Sequence, residues 1–100
     1  MNVIEVNKVL SNKTRMDILK WLKNPEKEFP PHKELGHFDF GVCGQFIYEK
    51  SGLSQSTISN YLSQLQNVGL ITPTRIGKWT YFKRNEEQIA AFLKEIHKEL

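Results

Sequence analysis

The spacing of apolar positions divides the chain into helical segments and one pair of strands. Apolar residues recur every three or four positions in five stretches, which is the period of a helix with one buried face. Two shorter stretches, Leu70–Ile76 and Trp79–Arg84, are instead rich in β-branched and aromatic residues and predict strands. The helical stretches are Val3–Leu10, Thr14–Lys23, Val42–Lys50, Ser54–Val68 and Glu86 to Leu100.

Residues that favour helix ends and turns stand at the boundaries of these elements. Ser54 can cap the helix that follows it, and Gly69 can end that helix in a left-handed conformation. The dipeptide Gly77-Lys78 separates the two strands and suits a type II′ hairpin turn. Pro73 lacks a backbone N–H and restricts its strand to the edge of a sheet.

The segment from Pro25 to Gly41 lacks helical periodicity. The preceding helix ends at Asn24, because a residue before proline is disfavoured in the helical region. The segment contains three prolines and two glycines, but also three phenylalanines. This aromatic content argues against a flexible linker, and we expect an ordered loop insertion over residues 25–41 that is packed by its own side chains.

The predicted order is helix, helix, helix, turn, helix, hairpin, helix. A helix–turn–helix followed by a β-hairpin is a winged helix–turn–helix, which is a mainly helical α+β fold. One hundred residues suit a single domain over positions 1–100. Since a chain of this size buries only a modest core, a dimer interface would add stability.

The fourth predicted helix concentrates short hydrogen-bonding side chains at its start. No charged residue occurs from Ser51 to Thr74, although exposed helices usually carry charges on their outer face. Such a helix can insert its N-terminal end into a major groove, where Gln and Asn bond adenine edges and Ser bonds either partner. Thr57 could either contact a phosphate or cap the helix. The candidate DNA-contacting residues are Gln55, Ser56, Thr57, Ser59 and Asn60.

Basic residues cluster around the predicted hairpin. The chain has 14 Lys and Arg residues against 11 Asp and Glu residues, with a pI near 9.1, which by itself is weak evidence for a partner. Arg75 and Lys78 are expected on the hairpin, where they would meet phosphates or enter a minor groove. Lys83 and Arg84 point in opposite directions along a strand, so at most one of them should face DNA.

Three segments carry a family resemblance when they are taken in order. The first runs from Leu10 to Arg15 and continues with Ile18-Leu19, and the second runs from Gly52 to Ser59 and continues to Gly69-Leu70. The third runs from Arg75 to Tyr81. Together they resemble the ArsR-type (arsenical-resistance repressor-like) family of winged-helix regulators, over nearly the whole chain apart from residues 25–41.

The resemblance implies a homodimeric transcriptional regulator, most simply a repressor, that binds a near-palindromic double-stranded DNA operator. The recognition helix, about 54–68, would lie in the major groove, and the wing, about 71–84, on the backbone or in the minor groove. Two-fold symmetry would place the two recognition helices roughly 34 Å apart. In this family the first and last helices form the dimer interface, and the matching apolar positions here are Val3, Val6, Leu10, Ile89, Phe92, Leu93 and Ile96.

Other features of the resemblance leave alternatives open. The last helix could pack only on its own subunit instead of forming an interface. Arg15 follows the family's Thr-Arg pair, and either a phosphate contact or a salt bridge to Asp17 or another acidic neighbour would explain it.

Many members of the family sense metals, but their ligand patterns are incomplete in this chain. Cys43 matches the first position of a family Cys-x-Cys pattern, whereas Gln45 occupies the second. One thiolate leaves a soft metal short of the three or four donors that it uses. The acidic and histidine pattern that other members carry on the last helix is also absent. We therefore expect no metal and no cofactor.

The sequence is compatible with several kinds of signal that could control the protein. His32, His37, Asp39 and Cys43 could converge on a metal if the insertion folds over the third helix. Cys43 could instead be a redox sensor, and it would then need an intersubunit disulfide or an adduct because it is the only cysteine. The phenylalanines of the insertion could frame an apolar pocket for an organic ligand. The inducer is unknown.

The chain lacks the motifs of several other protein classes. It has no phosphate loop, no paired-carboxylate motif and no nucleophile set at a strand–helix elbow, so we expect no enzymatic activity. No apolar run approaches the ~20 residues of a membrane helix, and the single cysteine favours a reducing cytoplasm. The rival interpretations are a protein-interaction module on a winged-helix scaffold and a winged-helix protein that binds RNA.

Overall fold

Six helices and three strands make up the fold. The computed structural model describes residues 1–100. The helices are α1 (Val3–Leu10), α2 (Lys13–Lys23), α3 (Pro25–Glu28), α4 (Gly44–Ser51), α5 (Gln55–Asn67) and α6 (Glu86–Glu99). The strands are β1 (Val42–Cys43), β2 (Ile71–Ile76) and β3 (Trp79–Arg84), and they form one antiparallel sheet in the order β1-β3-β2. None of the helices combines the length and the apolar composition that crossing a bilayer requires.

Side chains and turns end α5 where the sequence predicts. The Ser54 hydroxyl accepts a hydrogen bond from the N–H of Thr57 at 3.2 Å and so satisfies an amide that has no partner within the first turn. At the other end Gly69 has φ +81°. The N–H of Leu70 donates to the carbonyl of Leu65, and the N–H of Gly69 donates to that of Gln66, which is a Schellman motif.

The core lies where the apolar stripes of α2 and α5 meet, with α1, α6 and the sheet around them. The predicted stripes are confirmed for both helices, and they hold α5 by one face and leave its polar face in solvent. The buried side chains of the core include Val6, Ile18, Leu19, Leu22, Ile47, Ile58, Leu62, Leu65, Leu70, Ile71 and Phe92.

The hairpin of β2 and β3, called the wing from here on, has the predicted turn. Ile76 lies opposite Trp79, so the loop consists of Gly77 and Lys78 alone. Gly77 has φ +59°, whereas no other residue type in the chain has a positive φ, and this combination fits a type II′ turn rather than type I′. Because β3 is the central strand, β2 is an edge strand, as the proline at position 73 predicts.

The predicted start of the third helix is wrong, because Val42 and Cys43 form a strand. Val42 pairs with Phe82 and Cys43 pairs with Tyr81 on β3, and the helix begins at Gly44. A two-residue strand is too short to show the alternation of a strand in its sequence. Its conformation is determined by pairing with β3, about forty residues later in the chain. The local spacing of apolar residues cannot indicate such a distant partner.

The insertion is ordered, but it is not a loop throughout. Residues Pro25 to Glu28 form α3, a short helix that the sequence analysis did not predict. Pro25 occupies its first turn, where the missing N–H of proline has no helical partner to lose. Phe29 then enters the core, and the Nζ of Lys83 donates to the carbonyl of Asp39 at 3.1 Å. The insertion is therefore held against the body of the protein at both ends.

Candidate nucleic-acid interface

The solvent-facing side of α5 carries only uncharged polar side chains near its N-terminus. Gln55, Ser56, Ser59 and Asn60 are all exposed, as the sequence predicts, while the intervening Ile58 is buried. Ser63, which also projects into solvent one turn later, was missed. Its spacing of four residues from Ser59 is the signal that could have identified it.

Hydrogen bonds within the first turn distinguish the capping residues from the free ones. The hydroxyl of Ser54 donates to Oγ1 of Thr57 at 2.8 Å and lies 3.3 Å from that of Ser56. Thr57 is half-buried, so its geometry favours the cap over a phosphate contact. These bonds do not involve Gln55 or Asn60, whose amide groups remain available to a ligand.

The wing presents two basic side chains at its tip. The Arg75 Nε donates to the carbonyl of Gly77 at 2.9 Å, and a terminal nitrogen of Arg75 donates to Oγ1 of Thr80 at 3.3 Å. The ammonium group of Lys78 lies 5.4 Å from the ring centroid of Trp79. Both basic residues are exposed, and neither pairs with a carboxylate. Their positive charge therefore faces solvent beside α5.

An open groove of about 470 Å³ lies between α5 and the wing, and we call it the interface groove. One wall carries the polar side chains of α5, and the opposite wall carries the basic side chains of the wing. Groups that can read base edges and groups that can contact phosphates thus face the same space. The lining includes Gln55, Ser59, Ser63, Gln66, Arg75, Lys78 and Thr80.

The other basic residues of the wing have protein partners. Arg84 donates to both carboxylate oxygens of Glu86, at 2.8 and 3.0 Å, and to the carbonyl of Leu19 at 3.2 Å. The hydrogen bond from Arg84 holds the pKa of Glu86 below its usual value. Lys83 bonds a neutral carbonyl of the insertion and also lacks a carboxylate partner. Of the wing cations without a carboxylate partner, Arg75 and Lys78 are the two that line the interface groove.

The suggested salt bridge between Arg15 and Asp17 is wrong. Asp17 instead pairs with Lys13, whose ammonium group lies 2.7 Å from its carboxylate. Arg15 is half-buried and turned toward α1 and α5.

Apolar side chains of α1 and α6 form an exposed patch, which we call the α1–α6 patch. It consists of Met1, Val3, Ile4, Ile96 and Leu100, which line one open depression, and of the exposed Leu93, which lies three residues before Ile96 on the same helix. Ile4, at 62% exposed, was missed because it lies between the positions of the assigned stripe. The interface assignment is wrong for Val6 and Phe92, which are 1% and 7% exposed and belong to the core of their own chain. Leu10 and Ile89 are half-buried against that core.

The groups suggested as a sensor do not come together. No group of three or more His, Cys, Asp or Glu side chains is placed to hold a metal ion. Cys43 is 2% exposed, and His37 lies on the surface with Asp39, 3.6 Å away. The phenylalanines also separate, because Phe40 lies outside the open depression of about 580 Å³ that Phe29 and Phe38 line. The hypotheses of a four-residue metal site and of a three-phenylalanine pocket are therefore wrong.

The element order, the wing and the interface groove define a winged helix–turn–helix domain. No family model matches the chain. It is, however, 50% identical over 97 residues to the uncharacterized HTH-type transcriptional regulator YbzH of Bacillus subtilis (strain 168), which covers 94% of this chain and 97% of that protein. It is also 30% identical over 83 residues to a Halobacterium salinarum protein that carries the name of an arsenical resistance operon repressor, ArsR2, covering 83% of this chain and 59% of that protein.

Two solved structures share the fold. A homodimeric winged helix–turn–helix DNA-binding domain from Mycobacterium bovis, described as a possible ArsR-family transcriptional regulator, superimposes with a TM-score of 0.65 at 24% identity and covers 97% of this chain and 78% of that one. A crystal structure of a possible transcriptional regulatory protein from the same organism gives a TM-score of 0.66 at 24% identity, with coverage of 98% and 91%. The chain belongs to the HTH-type transcriptional regulators, as its match to YbzH shows. The name of the Halobacterium salinarum protein agrees with the ArsR-type resemblance in the sequence. It is a DNA-binding regulator and not an enzyme.

Proposed function

We propose that the chain is a homodimeric repressor that binds a near-palindromic operator, with α5 in the major groove and the wing on the backbone or in the minor groove. The observation that supports this most directly is the interface groove. It places the free amide of Gln55 and the hydroxyl of Ser59 on one wall and the unpaired charges of Arg75 and Lys78 on the other. Asn60 is exposed on the same part of α5, outside the groove.

The two walls would have different tasks. Gln55 and Asn60 can each make a bidentate contact with adenine, and each such contact discriminates against a wrong base by about 1–3 kcal/mol. Arg75 and Lys78 would contribute affinity that does not depend on base sequence and that falls as salt rises. Ser56 and Ser59 can bond either a base edge or a phosphate, and Thr57 acts as a cap.

The α1–α6 patch is our candidate for the dimer interface. Leu93 is 59% exposed and Ile4 is 62% exposed, which leaves a large apolar side chain of α6 and one of α1 in water. Burial of such side chains against a second copy is favourable by about 1.5–3 kcal/mol each. The homodimeric state named for the Mycobacterium bovis domain supports a dimer of this chain as well.

Regulation through Cys43 is not part of this proposal. A thiol that is 2% exposed is shielded from the oxidants and metals that a sensor cysteine must meet. We propose constitutive operator binding by the reduced protein in the cytoplasm, in keeping with a chain that has a single cysteine.

Selection of duplexes from a random library, combined with sedimentation, tests the proposal. We expect a dimer that binds the selected duplex at least ~10³-fold more tightly than a scrambled duplex, with no comparable preference for structured RNA. Leu93→Glu should yield a monomer and weaken operator binding, because a monomer contacts one half-site only. Met16→Glu, which also replaces an exposed apolar residue, serves as the control. A monomeric wild type, or a wild type that selects no duplex, would contradict the proposal.

A further inference from the structure

Arg15, in the first turn of α2, bonds both of the helices that flank it. Its Nε donates to the carbonyl of Val9, and a terminal nitrogen lies 3.4 Å from the carbonyl of Lys8, both at the end of α1. The other terminal nitrogen donates to Oε1 of Gln64 on α5 at 2.8 Å. A single guanidinium group therefore joins the end of α1 to the middle of the recognition helix.

Tyr61 adds a second contact from the same side of α5. Its ring centroid lies 4.9 Å from the guanidinium carbon of Arg15, within the range of a cation–π interaction. Its hydroxyl accepts a hydrogen bond from the Nδ2 of Asn12 at 3.3 Å. Since Tyr61 and Gln64 are three residues apart, they project from one face of the helix. That face is turned toward α2 and away from the interface groove.

The environment of Arg15 suits a structural cation rather than a phosphate contact. The last carbonyls of α1 carry partial negative charge, which favours a cation at this position. All three guanidinium nitrogens have partners in the protein, and the side chain is half-buried. The three contacts leave one N–H on each terminal nitrogen, so a phosphate could not be bound by the whole guanidinium group without breaking them.

The contacts of Arg15 and Asn12 with α5 are directional, unlike the apolar contacts of its buried face. Apolar burial is non-directional, so Ile58, Leu62 and Leu65 determine which face of the helix is buried but restrain its exact rotation less than hydrogen bonds do. Directional hydrogen bonds from Arg15 and Asn12 define that rotation. Recognition groups must be held to within about 0.5 Å to contact base edges productively.

We propose that Arg15 is a positioning residue of the DNA interface, which fixes the rotation of α5 relative to α1. The proposal rests on the proposed function, in which α5 reads the operator and α1 contributes to the dimer interface. Arg15, Gln64 and Tyr61 would thereby set the orientation of Gln55 and Asn60 relative to α1.

The test measures the ratio of affinities for a selected duplex and a scrambled duplex by fluorescence anisotropy at several salt concentrations. Arg15→Met, which retains an unbranched side chain without donors, should lower this ratio about tenfold. The affinity for scrambled DNA and the slope of log K against log salt should stay at the wild-type values. Lys13→Met removes an exposed charge from the same turn of α2 and should change neither quantity.

A phosphate contact by Arg15 gives a different result. The salt slope would then fall by about 1, and the affinities for both duplexes would fall together. That outcome overturns the positioning role. Failure of the wild type to select any duplex overturns the proposed function, and this proposal with it.

Substitution of Gln64, which Arg15 contacts, provides a second test that does not depend on the folding of Arg15→Met. Gln64→Leu should also lower the ratio, and the double variant Arg15→Met/Gln64→Leu should lose no more than Arg15→Met alone. Without DNA, amide hydrogen exchange in α5 should be faster in Gln64→Leu than in wild type. A wild-type affinity ratio and wild-type exchange in Gln64→Leu overturn the proposal, whatever Arg15→Met does.

Discussion

The hydroxyl of Tyr81 lies 3.1 Å from Nδ1 of His32, a residue 49 positions earlier in the chain, and this contact joins the insertion to β3, the central strand of the sheet. The N–H of Glu34 also donates to the same Nδ1, at 3.3 Å, so this nitrogen is an acceptor and the Tyr81 hydroxyl donates to it. The ring of His32 is 9% exposed and packs against Trp79, with 4.8 Å between centroids. Through His32, the insertion therefore packs against β3 of the wing.

Removal of the Tyr81 hydroxyl should destabilise the protein. Tyr81→Phe keeps the ring but leaves Nδ1 of His32 with one donor instead of two, and we expect a loss of about 1 kcal/mol in the free energy of unfolding. Urea denaturation measures it. Tyr48→Phe is the control, because Tyr48 is half-buried and its hydroxyl makes no hydrogen bond within the protein. Equal losses in the two variants would contradict the role of the His32 contact.

Stability should also fall at alkaline pH because of Tyr81. Burial raises the pKa of its phenol above the ordinary value of 10.0, and electrostatic interaction with the nearby Cys43 and Glu34 raises the pKa further. The folded state favours the neutral phenol, so this contribution is complete below the unfolded pKa and is lost as pH rises through the folded pKa. From about pH 9 to about pH 11, the free energy of unfolding should decrease more for wild type than for Tyr81→Phe. Parallel pH profiles would refute the prediction.

Gly41 should be the least replaceable glycine of the insertion. It has φ +92°, and a Cβ at this position would lie 1.9 Å from the carbonyl oxygen of Phe82. Gly36 has φ +70°, but a Cβ there would meet no heavy atom within 4 Å, so Gly36→Ala should cost only the left-handed strain of about 1–2 kcal/mol. Gly41→Ala should cost clearly more in urea denaturation, because β1 must separate from β3. A smaller loss for Gly41→Ala than for Gly36→Ala would be inconsistent with this packing.

The sequence predicted best those features that depend on neighbouring residues. The limits of α5 follow from the Ser54 cap and from the left-handed Gly69, and the two-residue turn follows from Gly77. Each signal acts over a few positions, so it can be recognised without knowing the tertiary structure. The exposure of Gln55 and Asn60 follows in the same way from the apolar spacing of their helix.

Features that depend on distant parts of the chain could not be predicted. Cys43 adopts a strand because it pairs with Tyr81, and Val6 is removed from the surface because other helices cover it. The contact of Arg15 with Gln64 likewise joins residues 49 positions apart. In each case local propensity is compatible with several outcomes, and tertiary packing selects one of them.

Gln55 and Asn60 should determine which operator is bound. Gln55→Ala or Asn60→Ala removes a bidentate group from the free face of α5, and each should reduce discrimination between operator and scrambled DNA by about 1–3 kcal/mol. Affinity for scrambled DNA should change little. Asn67→Ala is the control, since Asn67 is exposed at the far end of α5, roughly 18 Å along the helix from Gln55. Titrations in which all three variants lose discrimination equally would contradict the assignment.

Lys78 and Arg84 should differ in their effect on the salt dependence of DNA binding, although each carries one positive charge. Lys78→Ala removes an exposed ammonium group from the wing tip, so affinity for any duplex should fall and the slope of log K against log salt should flatten by about 1. Arg84→Ala should leave that slope unchanged, because its guanidinium already binds Glu86 and the carbonyl of Leu19. Both variants lower the net charge from +3 to +2, so general electrostatic attraction affects them equally. If Arg84→Ala flattened the slope as much as Lys78→Ala, overall charge and not the position of Lys78 would account for the salt dependence.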